Sequence, residues 1–293
     1  MPRFELGTSP TRTERATRLR HTPSVKQVSG SLSTAFRGLG HLDSPPMAHR
    51  DEILAFADEF LDLGSFPDYG PMGLQVVGSD EVAKIACGVS ASRELFERAA
   101  EAGAQLVLVH HGLFWDRDPR VVDARMKGRL KALFDADITL AAYHLALDGH
   151  PEVGNNALLA RELGVQVEGP FAVIGVGGRL AEALAVETFV GEIRSRLGAD
   201  PLVFGEGPPI VERVAIVSGG AAGHLTDAAA EGYDLFLTGE ADEPTMMTAR
   251  ELGIHFVAAG HYATETLGVQ ALAARLAERF GLDWEFVDLP NPV

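Results

Sequence analysis

One cysteine, no long apolar run and few basic residues set the first limits on this 293-residue chain. With Cys87 alone, there is no intramolecular disulfide framework and no cysteine-rich zinc ribbon. That scarcity suits a reducing, cytoplasmic setting. No apolar stretch approaches the roughly 18 residues that a membrane-spanning helix needs, and the arginines near the start have no apolar segment behind them, unlike a secretory signal. The net charge of −16 leaves no large basic surface to displace counterions from a phosphate backbone. Nucleic-acid binding is therefore not expected as a main task. What is present, 46% hydrophobic residues with 32 glycines, is the composition of a globular α/β protein.

The basic residues cluster at the beginning. Residues 1–46 carry Arg3, Arg12, Arg15, Arg18, Arg20, Lys26 and Arg37 against Glu5, Glu14 and Asp43. Rich in Ser, Thr and Pro and without a sustained period, this segment is expected to be disordered. An organelle transit peptide has a similar composition. The preferred expectation is an artefactual extension, with Met47 as the true start; N-terminal sequencing of the native protein checks it.

From Met47 the pattern is orderly and predicts an α/β fold. DEILAFADEFLDL places Ile53, Leu54, Phe56, Ala57, Phe60 and Leu61 on one helical face. A Pro/Gly-rich turn, PDYGPMG, leads into LQVV and then KIACGV, both read as strands. RELFERAAEAG reads as a helix ended by Gly103. QLVLV and ITLAAY read as strands buried on both faces, with a helix over residues 123–135 between them. Strands alternating with helices predict a largely parallel or mixed sheet.

The chain also repeats itself. VAKIACGVSASRELFERAAEAGAQLVLVHHG (82–112) aligns without a gap against VERVAIVSGGAAGHLTDAAAEGYDLFLTGEA (211–241). Further on, LAAYHLALD (140–148) matches VAAGHYATE (257–265), each an apolar strand ending in His-x-x-x-carboxylate. This repeat, within 82–148 and 211–265, predicts two related, intertwined lobes with mixed sheets facing across a cleft. The strand ends of one lobe offer His110, His111, His144 and Asp148; those of the other offer Glu240, His261 and Glu265. Ligands bind at such carboxyl ends in open α/β sheets. Imidazoles and carboxylates without thiolates suit zinc, iron or manganese. A carboxylate can bridge two cations held about 3.5–4 Å apart, and His261 and Glu265, at i and i+4 on an expected helix, share one face. A single histidine at a strand end is more often a structural hydrogen-bonding residue. Adjacent histidines on an extended backbone also point to opposite faces, so one of the pair can be structural.

GLQVVG (73–78), VHHGLFW (109–115), YHLALDGHPEVGNNALLA (143–160), LTGE (237–240) and GHYATE (260–265) together resemble the Nif-three-like family, whose members are often called GTP cyclohydrolase 1 type 2 homologues. The segments keep the family's order over almost the whole chain after Met47. The resemblance implies a two-lobed α/β subunit in a toroidal homohexamer, with two divalent metal ions per subunit opening to the ring interior. Carried over by motif, His110, His111, Asp148, His261 and Glu265 are the implied metal ligands. His144 and Glu240 fall beside the centre, as positioning or proton-transfer residues. The chain departs from the pattern in DYGPMGLQV, where similar proteins have Asp-Asn before Gly-Leu-Gln. Gly70, Pro71 and Met72 stand there instead, which leaves any polar role of that turn open. There is no room for the domain that larger family members insert between the lobes.

A two-metal centre supplies an activated water and polarises an electrophile, so the implied reaction is metal-assisted hydrolysis. For a purine such as GTP, attack at C8 would lead to ring opening. Other small-molecule substrates, phosphoester or amide, fit the ligand set equally. The alternative from another class is a non-catalytic, metal-dependent hexameric scaffold or metal-handling protein. Three smaller motifs have structural readings. Gly219-Gly220 fits a tight strand–helix turn better than a phosphate loop, since it lacks the Lys-Ser/Thr end. Asn155-Asn156 can hydrogen-bond near the site or cap the next helix, with the cap preferred at Asn156. Glu240 can likewise cap the helix that begins near Glu243-Pro244.

Overall fold

Two mixed sheets, each covered by helices on both faces, organise residues 46–293, the part that the computed structural model describes. The expectation for residues 1–46 falls almost wholly outside it. In the first sheet the strand order is Asp283–Phe286, Lys84–Ser90, Leu106–His111, Thr139–Ala142 and Gly73–Val76. Its first three pairings are parallel, and the last is antiparallel. The second sheet runs Val165–Phe171, Gly175–Ala185, Ile210–Ile216, Leu235–Thr238, His255–Ala258 and Leu202–Phe204. Only its three consecutive strands from Ile210–Ile216 to His255–Ala258 pair in parallel. A short antiparallel ribbon joins Ala48–His49 to Glu81–Val82.

Alternation along each central strand explains the two-sided burial. Leu106 and Leu108 pack with Ile53, Tyr143, Leu272 and Leu276 on one face. Val107 and Val109 pack with Leu95, Phe96 and Leu133 on the other. In the second lobe, Leu235 and Leu237 meet Phe189 and Ile193, while Phe236 packs with Phe256 and Ala249. The lobes are intertwined. After completing the second sheet, the chain returns as the helix Thr266–Phe280, which covers the first sheet, and Asp283–Phe286 pairs beside Lys84–Ser90.

The parallel pairs share one register. Ile85 lies opposite Leu106 and Val214 opposite Leu235, and the gapless alignment equates these same residues. The helices between them end alike, with Gly103 at φ +73° and Gly232 at φ +75°. Both glycines hold the left-handed conformation that stops a helix without a Cβ penalty. Ser92 begins the first of these helices by accepting the Leu95 N–H at 3.1 Å. Among the described residues, no helix is long and apolar enough to cross a membrane.

Candidate metal centre

The strand ends of both lobes meet in one place. His110 and His111 finish the strand Leu106–His111, beyond its last pairing with Thr139–Ala142 at Val109–Ala142. His144 precedes the four-residue helix Leu145–Asp148, and Asp148 is that helix's last residue. His261 opens a second four-residue helix, His261–Thr264. The continuous helix expected from His261 onward is broken at Glu265, whose backbone (φ −117°, ψ 6°) leaves the helical path before Thr266–Phe280 begins. Thr264 accounts for part of the break. Its hydroxyl donates to the His261 carbonyl and accepts the Gly219 N–H, tying the turn to the other loop of the site. Even so, His261 and Glu265 face each other, with Nε2 and Oε1 3.1 Å apart.

Glu265 is the hub. Its Oε1 lies 3.5 Å from His110 Nε2, and its Oε2 lies 3.2 Å from His111 Nε2. His110 Nε2 is also 3.4 Å from Asp148 Oδ2. The adjacent histidines thus converge, contrary to the opposite faces expected of a pleated strand. On one side the strand Thr139–Ala142 no longer pairs beside them, while on the other Ser90 still pairs with His111, and their ring centroids are 4.8 Å apart. His110, Asp148 and Glu265 are buried, and His110 Nε2 and Glu265 Oε2 have no hydrogen-bond partner among the described residues. Buried polar atoms are rarely left this way, since each costs about 1–3 kcal/mol. Ligands on bonds of about 2.0–2.2 Å in a tetrahedral array stand roughly 3.3–3.6 Å apart, close to the spacings found here. The donor set fits a cation: His110 with Asp148 and Glu265, and His111 with His261 and Glu265, could each hold a metal ion. His110, His111 and His144 form a third such group.

The opposite end of each side chain is fixed, which sets imidazole orientation and tautomer. His110 Nδ1 bonds the Tyr143 carbonyl at 3.0 Å, and His111 Nδ1 bonds Ser90 Oγ at 3.0 Å. His261 Nδ1 meets Glu240 Oε1 at 2.6 Å, and His144 Nδ1 meets Asp68 Oδ1 at 2.7 Å. Asp148 Oδ1 accepts from Asn155 Nδ2 at 2.8 Å and from Ser218 Oγ at 3.0 Å. Gly219, at φ +70°, makes the tight turn expected after its strand; a Cβ there would come within 2.3 Å of Glu265 Oε1.

Proton affinities follow from this packing. Burial opposes a charge on His110, but the carboxylates of Asp148 and Glu265 outweigh it and raise the imidazole well above its ordinary value. Against a similar burial penalty, Glu265 and Glu240 raise His261 to about 9. Burial and the charge of His110 push His111 down to about 3. Burial alone would raise Glu265; His110 and His261 instead hold it below the usual carboxylate range. Both shifts favour a proton on His110 and on His261 beside the Glu265 carboxylate.

Three further sequence readings are decided by the contacts. Asn156 is not a helix cap: Gly154 precedes the helix Asn155–Glu162, and the buried Asn156 amide bonds the carbonyls of Asp148 and Ile174 while its oxygen accepts the Ser218 N–H. Tying three segments together uses the side chain fully. Glu240 does not cap the helix Thr245–Leu252, because its carboxylate is engaged by His261. The turn without Asp-Asn is still polar, since Asp68, just upstream of Gly70, binds His144 and accepts the Leu145 N–H. Asp68, Ser90 and Ser218 were not singled out from sequence. Only Asp68, an acid inside a Pro/Gly turn, left a recognisable signal.

The cluster opens into a cavity of about 590 Å³ lined by residues of both lobes, including Tyr69, Trp115, His144, Ile174 and Val217. The chain is 48% identical over 241 residues to a protein named GTP cyclohydrolase 1 type 2 homolog from Pseudomonas aeruginosa, covering 80% of this chain and 95% of that one. A solved structure described as protein ybgI, of unknown function, superposes with a TM-score of 0.82 at 43% identity, covering 84% of this chain and all of the other. The structure of TTHA1606 from Thermus thermophilus gives 0.79 at 40% identity, with 84% and 100% covered. Residues 48–292 match the family model described as Duf34/NIF3 (NGG1p interacting factor 3), and the chain, with the two-lobed fold and clustered histidines and carboxylates set out above, belongs to that family.

Proposed function

We propose that the protein is a hydrolase acting on a small molecule with two divalent metal ions, zinc, iron or manganese, held between its lobes. The observation that carries this reading is the pair of buried, unpartnered atoms, His110 Nε2 and Glu265 Oε2, at the centre of the donor cluster. His110 and Asp148 would hold one ion, His111 and His261 the other. Glu265, the one residue in both of these groups, would serve both ions. Such ions supply an acidified water and an electrophile-polarising charge. Asp148 is presented by Asn155 and Ser218, and His261 by Glu240. His144, oriented by Asp68, lines the cavity with Nε2 available to exchange a proton or a hydrogen bond with substrate. GTP, which appears in the relatives' name, is one substrate to test.

The reading includes a homohexameric ring and a cytoplasmic setting, the latter supported by the single cysteine, a buried free thiol. Elemental analysis after purification without chelators should find about two first-row metals per chain. Metal-replete protein should turn over at least one member of a nucleotide, phosphoester and amide panel, and Asp148→Ala and Glu265→Ala should lose that turnover. Near-zero metal would overturn the reading. A two-metal hexamer with no turnover would identify a scaffold or metal-handling protein instead. Light scattering giving a mass other than six chains would remove the ring.

A further inference from the structure

The charges around the cavity are already matched. Asp148 and Glu265 face the two candidate metal positions, Glu240 is bound to His261, and Asp68 to His144. These four carboxylates balance two divalent cations. No lysine or arginine is among the described residues that line the cavity. A polyphosphate would therefore bring several charges into a partly enclosed site with no guanidinium or ammonium to receive them. Desolvating unpaired charge is costly.

The walls offer something else. Trp115 stands edge-on to His144, with ring centroids 5.1 Å apart, and lies 6.1 Å from His111. Tyr69 lies 6.3 Å from His144 and is 65% exposed. Its backbone carbonyl accepts the Asp116 N–H, which joins the Tyr69 and Trp115 segments into one wall. From the second lobe, Ile174, Val217 and the 70%-exposed Val173 face the same space. Large exposed apolar groups at a cavity rim are a mark of ligand contact. Polar contacts come from two imidazoles whose Nδ1 atoms are already used: His144 on Asp68 and His224 on Asp227.

We propose that this cavity takes an uncharged heteroaromatic ring against Tyr69 and Trp115, with its edge hydrogen-bonded by His144 and His224 and without a polyphosphate tail. The proposal rests on the two-metal reading, since the charge balance requires both ions.

Calorimetric titration of metal-loaded protein tests it, with the metal content of each sample measured and guanosine, nicotinamide and GTP as probes at one ionic strength. At least one of the neutral rings should bind about tenfold tighter than GTP. Trp115→Leu and the exposed-site variant Tyr69→Ala should each weaken that ring about tenfold, in the range of aromatic stacking, and still hold two metals. GTP binding as tightly as the neutral rings, no binding by either ring, or affinity unchanged in both variants would overturn the proposal while leaving the metal centre standing. Absence of metal would overturn the two-metal reading itself and remove the charge argument with it.

Discussion

Where the first lobe carries His110 and His111, the second carries Gly239 and Glu240. The backbones correspond, since Val109 pairs with Ala142 and Thr238 with Ala258 in the same parallel register. Beyond that point they diverge. Only Tyr143 separates the first strand from His144, whereas Ala259 and Gly260 separate the second from His261. The extra step is taken at Gly260, with φ +96°. It brings the His261 backbone over Gly239, where any Cβ would lie 2.6 Å from the His261 Cα. A glycine there admits His261, and the neighbouring Glu240 then binds its Nδ1. The first lobe spends the same two positions on imidazoles aimed at Glu265. One backbone plan therefore presents three histidines from one side and one histidine with its own carboxylate from the other.

If that asymmetry is functional, the two buried carboxylates are not equivalent. Glu265 belongs to two of the three donor groups and Asp148 to one. Glu265→Ala should therefore leave almost no bound metal, and Asp148→Ala about one ion per chain, by elemental analysis of folded protein. Equal losses would make the sites symmetric. The packing beneath them is expected to be symmetric. Leu108 and Leu237 occupy aligned positions and are both fully buried, each in its own core. Replacing either with Ala should cost about 2–5 kcal/mol in denaturant unfolding. A difference larger than that range would show that one lobe folds on the other rather than beside it.

The carboxylates that orient His144 and His261 offer a finer comparison. Glu240→Gln should weaken metal binding about 10–100-fold in a chelator competition, because Glu240 orients His261, a proposed ligand. Asp68→Asn, acting on His144, should leave metal affinity nearly unchanged and lower turnover instead. A large loss of metal from Asp68→Asn would make His144 a ligand, as its grouping with His110 and His111 allows.

The legibility of these features in sequence was uneven for a physical reason. Paired strands and their helices write themselves as periodic apolar runs, so LVLV and FVAA mark both sheets and the strand ends where His110, His111 and His261 stand. Asp148 and Glu265 were visible through the spacing each shares with a histidine. Contacts that join distant loops leave no period. Asp68 reaches His144 and Ser218 reaches Asp148 across 76 and 70 residues, and Asn156, which looked like a cap, bonds groups from three segments. The break at Glu265 was hidden as well, because TLGVQALAARLAERF continues the helical pattern on its far side.

The smallest effect lies in the metal-free chain, where two histidines of the site, His261 and His111, should respond to pH in opposite senses. His261, raised to about 9, holds its proton more tightly folded than unfolded, where an imidazole titrates near 6.5. Its contribution is complete below about pH 6.5 and is lost as pH rises through about 9. His111, lowered to about 3, takes a proton more readily when unfolded, so it contributes above about pH 6.5 and loses that contribution as pH falls toward 3. Urea unfolding of chelator-stripped protein should show stability falling on both sides of neutrality. His261→Gln should flatten the alkaline arm, with the remainder carried by His110, which is also raised. His111→Gln should soften the acid arm, with the rest carried by Glu265, which is held below its usual range. The effect is modest because the His261 side chain is 28% exposed and partly screened. If His261 is a ligand as proposed, its Nε2 would have no proton to lose with metal bound, and the alkaline arm should vanish in the wild type; an arm that persists unchanged would mean that His261 is not a ligand.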